Sequence, residues 1–140
     1  MIRKFGTDDL QKIMEIWLNT NINAHNFIDK QYWLDNYKMV ESIIPQSEIF
    51  VIEENNEICG FIGLNDGYIE GIFVAENHQS KGFGKQLLDY AKSIYQRLSL
   101  SVYKNNIKAI SFYNREGFSI IKQQTDENTQ QTEYEMIWTK

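Results

Sequence analysis

Proline, cysteine and histidine are nearly missing from this 140-residue chain: there is one proline, Pro45, one cysteine, Cys59, and two histidines, His25 and His78. With a single proline and no Gly- or Pro-rich tract there is no linker, so one domain over residues 1–140 is expected. Cys59 cannot close an internal disulfide, and a reducing cytoplasm is the simplest setting. One cysteine and two histidines are too few for a structural zinc site, and no metal is expected. Positive charge is short as well, with 14 Lys and Arg against 19 Asp and Glu and a formal net charge of -5. That balance argues against a nucleic-acid binder working through the phosphate backbone and permits a cationic substrate. No apolar run approaches the roughly 20 residues of a membrane span. The opening "MIRKFGTDDL" has neither the apolar core nor the cleavage site of a signal peptide. Neither nucleic acid nor a membrane is expected as a partner.

What is present suits an ordered core: 42% hydrophobic and 14% aromatic residues. "MIRKF" reads as a short strand, and Thr7 as the N-cap of a helix whose first turn holds Asp8 and Asp9. Leu10, Ile13, Met14, Trp17 and Leu18 give that helix one apolar face. "NTNINAHNFI" has no clear period and reads as a loop. Asp29 is placed to cap a second helix, with Tyr32, Trp33, Tyr37 and Val40 as its stripe and an end near Pro45. "EIFVIEE" and "ICGFIGL" flank a turn at "NNE", and "YIEGIFV" follows the turn "NDG". The next helix carries Leu87, Leu88, Ala91, Ile94 and Tyr95. "LSLSVY" alternates as a half-buried strand. A short helix from Asn106 carries Ala109, Phe112 and Tyr113, and Gly117 is placed to end it. "FSIIKQ" and "TEYEMIWT" read as two last strands around the loop "TDENTQQ". The order βααβββαβαββ predicts an α/β fold, a mixed sheet with helices on its faces.

Between the third strand of the middle group and its helix stands "QSKGFGK". A strand-to-helix turn leaves main-chain N–H groups without partners, which together form an anion site. Gly82 and Gly84 lack a Cβ and admit a phosphate close to the backbone, while Lys81 and Lys85 add charge. Neither the Walker loop nor the dinucleotide fingerprint is matched. By itself the stretch also fits a plain turn with solvated lysines.

The surroundings add to it. Gln79, Gly82 and Gly84 fit the pattern Q/R-x-x-G-x-G/A. Asn106, Ala109, Phe112, Tyr113, Gly117 and Phe118 fit N-x-x-A-x-x-F-Y-x-x-x-G-F. With both motifs in order, essentially the whole chain resembles the GNAT superfamily of acetyl-CoA-dependent N-acetyltransferases, in particular its small single-domain bacterial members. The resemblance implies a central, mostly antiparallel twisted sheet with helices on both faces. It implies acetyl-CoA as co-substrate and an amine as acceptor, either a protein amine or a small molecule. The amides of Gln79, Ser80, Lys81, Gly82, Phe83, Gly84 and Lys85 would then cradle the CoA pyrophosphate. The main chain of Ile72, Phe73 and Val74 would hold the pantetheine arm and supply an oxyanion donor. Asn106 would bond the cofactor, or serve simply as a helix N-cap.

Amide formation from a thioester needs a base, because an amine with a pKa near roughly 10 is almost fully protonated at neutral pH. It also needs an acid for the departing thiolate, and the resemblance gives that part to Tyr113. Glu70 is the candidate base, sharing a face with Tyr68 and Ile72 by strand alternation; it reads equally as an exposed strand carboxylate. Where many relatives carry an acid in the next strand, this chain has Ser99 and Ser101. His25 is a further base candidate or a loop histidine with a structural bond. Phe27, Tyr32 and Trp33 suit an acceptor wall or a core. A non-catalytic acyl-CoA-binding regulatory module stands as the alternative to an enzyme. Pairing of two copies through the last strand, with Tyr134, Ile137 and Trp138, is left open.

Overall fold

The computed structural model describes residues 1–140. Its strands are β1 (Ile2–Lys4), β2 (Glu48–Glu54), β3 (Glu57–Asn65), β4 (Tyr68–Val74), β5 (Arg97–Tyr103), β6 (Ser119–Asp126) and β7 (Gln131–Thr139). Its helices are α1 (Leu10–Ala24), α2 (Lys30–Ile43), α3 (Phe83–Ile94) and α4 (Ile107–Arg115). The order along the chain is the one the sequence predicts. All seven strands join one sheet in the order β1-β2-β3-β4-β5-β7-β6, antiparallel except where β4 meets β5. No helix is long and apolar enough to cross a membrane.

Both faces of the sheet are covered. Phe50, Ile52, Ile62, Leu64, Ile69, Leu98, Leu100 and Met136 pack beneath Leu87, Leu88 and Ala91 of α3. Ile49, Val51 and Phe61 pack on the other side against Ile13, Met14 and Trp17 of α1 and Trp33 of α2. Alternation along β2 sends Ile49 and Val51 to one core and Phe50 and Ile52 to the other. Positive φ at Asn55 and Asn56, and again at Asp66 and Gly67, makes the tight turns that join β2 to β3 and β3 to β4.

Three local expectations need correction. Thr7 does not cap α1. Residues Thr7–Asp9 form a 3₁₀ turn, and the buried Asp9 carboxylate accepts the Gly6 N–H at 2.8 Å while holding Arg3. The presumed loop "NTNINAHNFI" is helical as far as Ala24. Asn21 breaks the apolar period there because it is a buried polar residue that satisfies itself, its side-chain amide donating to the Trp17 carbonyl at 2.9 Å. The last strand, β7, is interior, paired with β5 on one side and β6 on the other, so its ladder bonds are taken. The free edge on that side of the sheet is β6.

Candidate active site

The parallel ladder between β4 and β5 is short. It joins Tyr68 to Ser99 and Ile69 to Leu100 and goes no further. From Gly71 to Val74, β4 is bonded to β3 alone. The Ala75 N–H bonds the Cys59 carbonyl at 2.8 Å, which sets the phase of the β3–β4 ladder. Phe73 then stands in a bonded pair with Phe61, and the main-chain groups of Ile72 and Val74 point into the gap. Of the three residues expected to offer main-chain bonds, Phe73 therefore spends its own on β3. The Gln79 side chain donates to the Val74 carbonyl at 3.0 Å and ties the following loop to the end of the strand.

That loop enters α3 through Gly82, whose φ of 87° places the N-cap in the left-handed region. A Cβ on Gly82 would meet nothing within 4 Å, so this glycine is needed for its backbone angle and not for room. Ser80 takes a positive φ of 65° without being glycine. The Gln79 amide is used locally, bonding Glu76 at 3.3 Å, while the amides from Ser80 to Lys85 donate to no protein acceptor. They converge at the N-terminus of a twelve-residue helix, where the helix dipole favours an anion. Lys85 does not face the loop: its ammonium pairs with Glu116 and Asp89, each at 3.1 Å. Lys81 forms no ion pair.

Tyr113 lies on α4, 8% exposed, between Phe112 and Phe118. Its hydroxyl makes no hydrogen bond within the protein. Burial pushes the phenol above its ordinary value, and the nearby Tyr68 adds to the effect, so the group keeps its proton at neutral pH. Helix α4 is fixed at both ends. Asn106 Oδ1 accepts the Ala109 N–H at 3.2 Å, and Gly117, at φ 94°, turns the chain so that the Phe118 N–H bonds the Tyr113 carbonyl at 2.9 Å.

Glu70 sits on a bulge. Leu64 pairs with Ile69 but Gly63 pairs with Gly71, so Glu70 is the extra residue of β4. The bulge undoes the expected alternation: Ile72 packs into the α3-side core, whereas Glu70 lines a cleft of about 700 Å³ on the α1–α2 side with Trp17, Ile49, Phe61 and Phe73. Tyr68 links the two candidate groups. Burial raises its phenol pKa and Glu70 raises it further, against a pull from Ser101, while Tyr68 in turn acts on Tyr113.

His25 is drawn into the same region but not as a free base. Asn106 Oδ1 is occupied by Ala109, so the Asn106 atom 3.2 Å from His25 Nε2 is the donor Nδ2. Nε2 therefore accepts, and Nδ1 carries a proton given to the Asn21 carbonyl at 3.1 Å. Both ring nitrogens are engaged. The ring stacks on Trp33 and meets Phe27 and Tyr103 edge-on, and burial pulls its pKa below the ordinary value. Asn106 is thus a helix cap and a tether for His25 at once. Tyr68, Tyr103, Asp126 and Glu133 escape sequence reasoning. They lie on four different strands, β4, β5, β6 and β7, and their only signal is alternation along each, which an isolated strand reading assigns to solvent.

The Acetyltransferase (GNAT) family model matches residues 10–118. Peptidyl-lysine N-acetyltransferase YiaC of Escherichia coli (strain K12) is 32% identical over 140 residues, covering 99% of this chain and 96% of that protein. The solution structure of apo-form YjaB from Escherichia coli has a TM-score of 0.88 at 21% identity, covering 99% of this chain and 96% of that one. The structure of yncA from Salmonella typhimurium with its cofactor acetyl-CoA has a TM-score of 0.67 at 20% identity, over 99% and 92% of the two chains. The likenesses to solved structures concern the fold.

Proposed function

Because this chain belongs to the acetyltransferase (GNAT) family and is an acetyl-CoA-dependent N-acetyltransferase, we propose that its acceptor is the side-chain amine of a protein lysine, with Tyr113 as the general acid. The observation that carries the reading is the parting of β4 from β5 after Ile69 and Leu100, directly before a loop whose amides from Ser80 to Lys85 have no protein partner. An extended amide-bearing arm ending in a diphosphate fits both features at once. The free groups of Ile72 and the N–H of Val74 suit the arm as an added strand suits a sheet edge. The unpartnered amides at the mouth of α3 suit the diphosphate. Lysine as acceptor rests on the relative named for peptidyl-lysine, matched along nearly its whole length.

The chemistry follows from the groups in place. The lysine nitrogen attacks the thioester carbonyl, and its extra proton passes toward Glu70 on the bulge, directly or through water. A main-chain N–H of the open β4 edge faces the developing oxyanion. As the C–S bond breaks, Tyr113 gives its proton to the sulfur. Its raised pKa keeps it protonated for that step, and its hydroxyl has no protein partner to release first. His25 holds Asn106 and the start of α4 and takes no proton.

The test is CoA release, followed with a thiol reagent, across lysine peptides, the same peptides with the lysine amine already acetylated, peptides offering only an α-amine, and small amines. Turnover of lysine peptides that vanishes on prior acetylation is expected. Turnover confined to small amines would overturn the acceptor assignment, and no affinity for CoA by calorimetry would overturn the site.

A further inference from the structure

The cleft of about 700 Å³ that Glu70 lines lies between the C-terminal half of α2 and strands β2, β3 and β4. Its outer end, at Ile43 and Glu48, is exposed. Its floor follows one row of the sheet. Ile49 on β2 pairs with Gly63 on β3, and Gly63 pairs with Gly71 on β4. Paired residues share a face. Phe61 and Phe73, stacked with 4.8 Å between ring centres, stand in the next row and form one wall. Trp17 of α1 and Val40 of α2 close it from above. The inner end lies where β4 leaves β5, because Glu70 directly follows Ile69, the last residue of β4 paired with β5. The cleft thus leads along the α1–α2 face to the gap in the sheet. Tyr113 packs in the core on the α3 face. The gap is where the two faces communicate.

The glycine in the floor has no role in the fold by itself. Gly60 and Gly71 are required by packing, since a Cβ on either would collide with Phe73. Gly63 is not. Its φ lies outside the left-handed region, and a Cβ on it would meet only Ile49 Cδ1 at 3.3 Å and Glu70 Cβ at 3.6 Å. Alanine would fit if the end of the Ile49 side chain gave by a few tenths of an ångström. Glycine inside a strand weakens it, and this strand is otherwise buried continuously from Ile58 to Leu64. What the missing methyl provides is open space beside Glu70.

The chemistry of the lining selects the occupant. No Lys, Arg or His lines the cleft, and its carboxylates, Glu48, Asp66 and Glu70, form no ion pair. Glu48 accepts the Tyr95 hydroxyl at 2.6 Å, at the outer end. Apolar walls that lead to a carboxylate suit an unbranched aliphatic chain ending in an amine. We propose that the target lysine reaches Glu70 through this cleft, its methylene stem passing over Gly63 between Trp17 and Phe73, and that the absent side chain at position 63 sets the width of the passage. This rests on the lysine reading above and adds to it an entry route and a specificity-determining residue.

The experiment uses a peptide blocked at both ends and carrying a single lysine. Gly63→Ala is expected to melt at or above the wild-type temperature and to bind acetyl-CoA with unchanged affinity, while KM for the peptide rises by roughly tenfold or more. Ser47→Cys tests the outer end without altering the floor. Cys59 is fully buried, so a maleimide modifies the new thiol alone, and the adduct is expected to lose at least about tenfold in kcat/KM for the peptide with acetyl-CoA binding intact. A peptide KM within about twofold of wild type in Gly63→Ala, or full turnover by the adduct, overturns the route and leaves lysine acetylation standing. Loss of melting temperature and of affinity for both substrates in Gly63→Ala overturns the specificity role of Gly63, and the adduct then decides the route by itself. Normal peptide turnover with acetyl-CoA but lost use of propionyl-CoA in Gly63→Ala gives the cleft to the acyl group and overturns the assignment. Absence of turnover with every lysine peptide by the wild type, despite acetyl-CoA binding, shows instead that the lysine reading has failed and takes this one with it.

Discussion

The Nε2 of His25 lies 3.2 Å from the Nδ2 of Asn106, a bond between residues 81 positions apart. It fastens the connection between α1 and α2 to the first turn of α4, the helix that carries Tyr113. Asn106 uses its oxygen for the cap and its nitrogen for the tether, so the two roles can be separated. Asn106→Ala loses both, and the cap alone is worth about 1 kcal/mol in a denaturant titration. Asn106→Asp keeps the cap and replaces the donor with a carboxylate, which calls for a proton on Nε2. By NMR titration the His25 pKa is expected below roughly 6.5 in the wild type and above it in Asn106→Asp. A His25 that stays depressed in the variant would contradict the assigned tautomer.

The same histidine links stability to pH. Its folded pKa is depressed by burial, so the unfolded chain takes up the proton first as pH falls. The stability it contributes is complete above the unfolded value of about 6.5 and is lost as pH drops from there through the folded value. Melting temperatures of wild type and His25→Gln between pH 7.5 and pH 5 are expected to converge toward acid. A gap that is constant with pH would show that His25 does not titrate in this window.

Tyr113→Phe removes a hydroxyl that no protein group bonds. Stability is expected to change by less than about 1 kcal/mol, since no internal hydrogen bond is lost. The kcat is expected to fall by roughly 10²–10⁴ with CoA affinity unchanged. A fall in kcat of under threefold would remove Tyr113 from the general-acid role, and a large loss of stability would point to a packing role instead.

The two loop glycines should behave oppositely. Gly82→Ala meets no steric obstacle but forces φ 87° on a residue with a Cβ, at a cost of about 1–2 kcal/mol of stability. Gly84→Ala lies inside α3, 3.8 Å from Phe112 and Val74, where alanine fits and favours the helix by up to about 1 kcal/mol. If the loop cradles a diphosphate, Gly84→Ala is expected to be as stable as the wild type or more so, yet to bind CoA less tightly. Equal CoA affinity in calorimetry would move the phosphates away from this turn.

Elements with strong periods were legible from residues alone. Leu87, Leu88 and Ala91 announce α3, and Leu98, Leu100 and Val102 announce the buried face of β5. The turns at Asn55–Asn56 and Asp66–Gly67 were equally plain. Legibility failed where a polar residue serves the fold internally. Asn21 looks like loop and is a buried helix residue bonded to its own turn. Glu70 looks like the partner of Ile72, but a bulge, which depends on how β3 pairs, reverses its face. The anion loop and Tyr113 could be proposed because their motifs are local in sequence. The bond from His25 to Asn106 could not, because it joins residues 81 positions apart and depends on how the end of α1 meets the start of α4.

The short ladder between β4 and β5 has a mechanical consequence. Strands β1 to β4 form one panel and β5 to β7 another, and only two ladder pairs hinge them together within the sheet. On the proposed placement, coenzyme in that gap would act as a splint, bonded to one panel and wedged against the other. The amides of Ile72 and Val74 would then exchange with solvent slowly only while the splint is in place, and product departure would coincide with the moment the panels are most loosely joined.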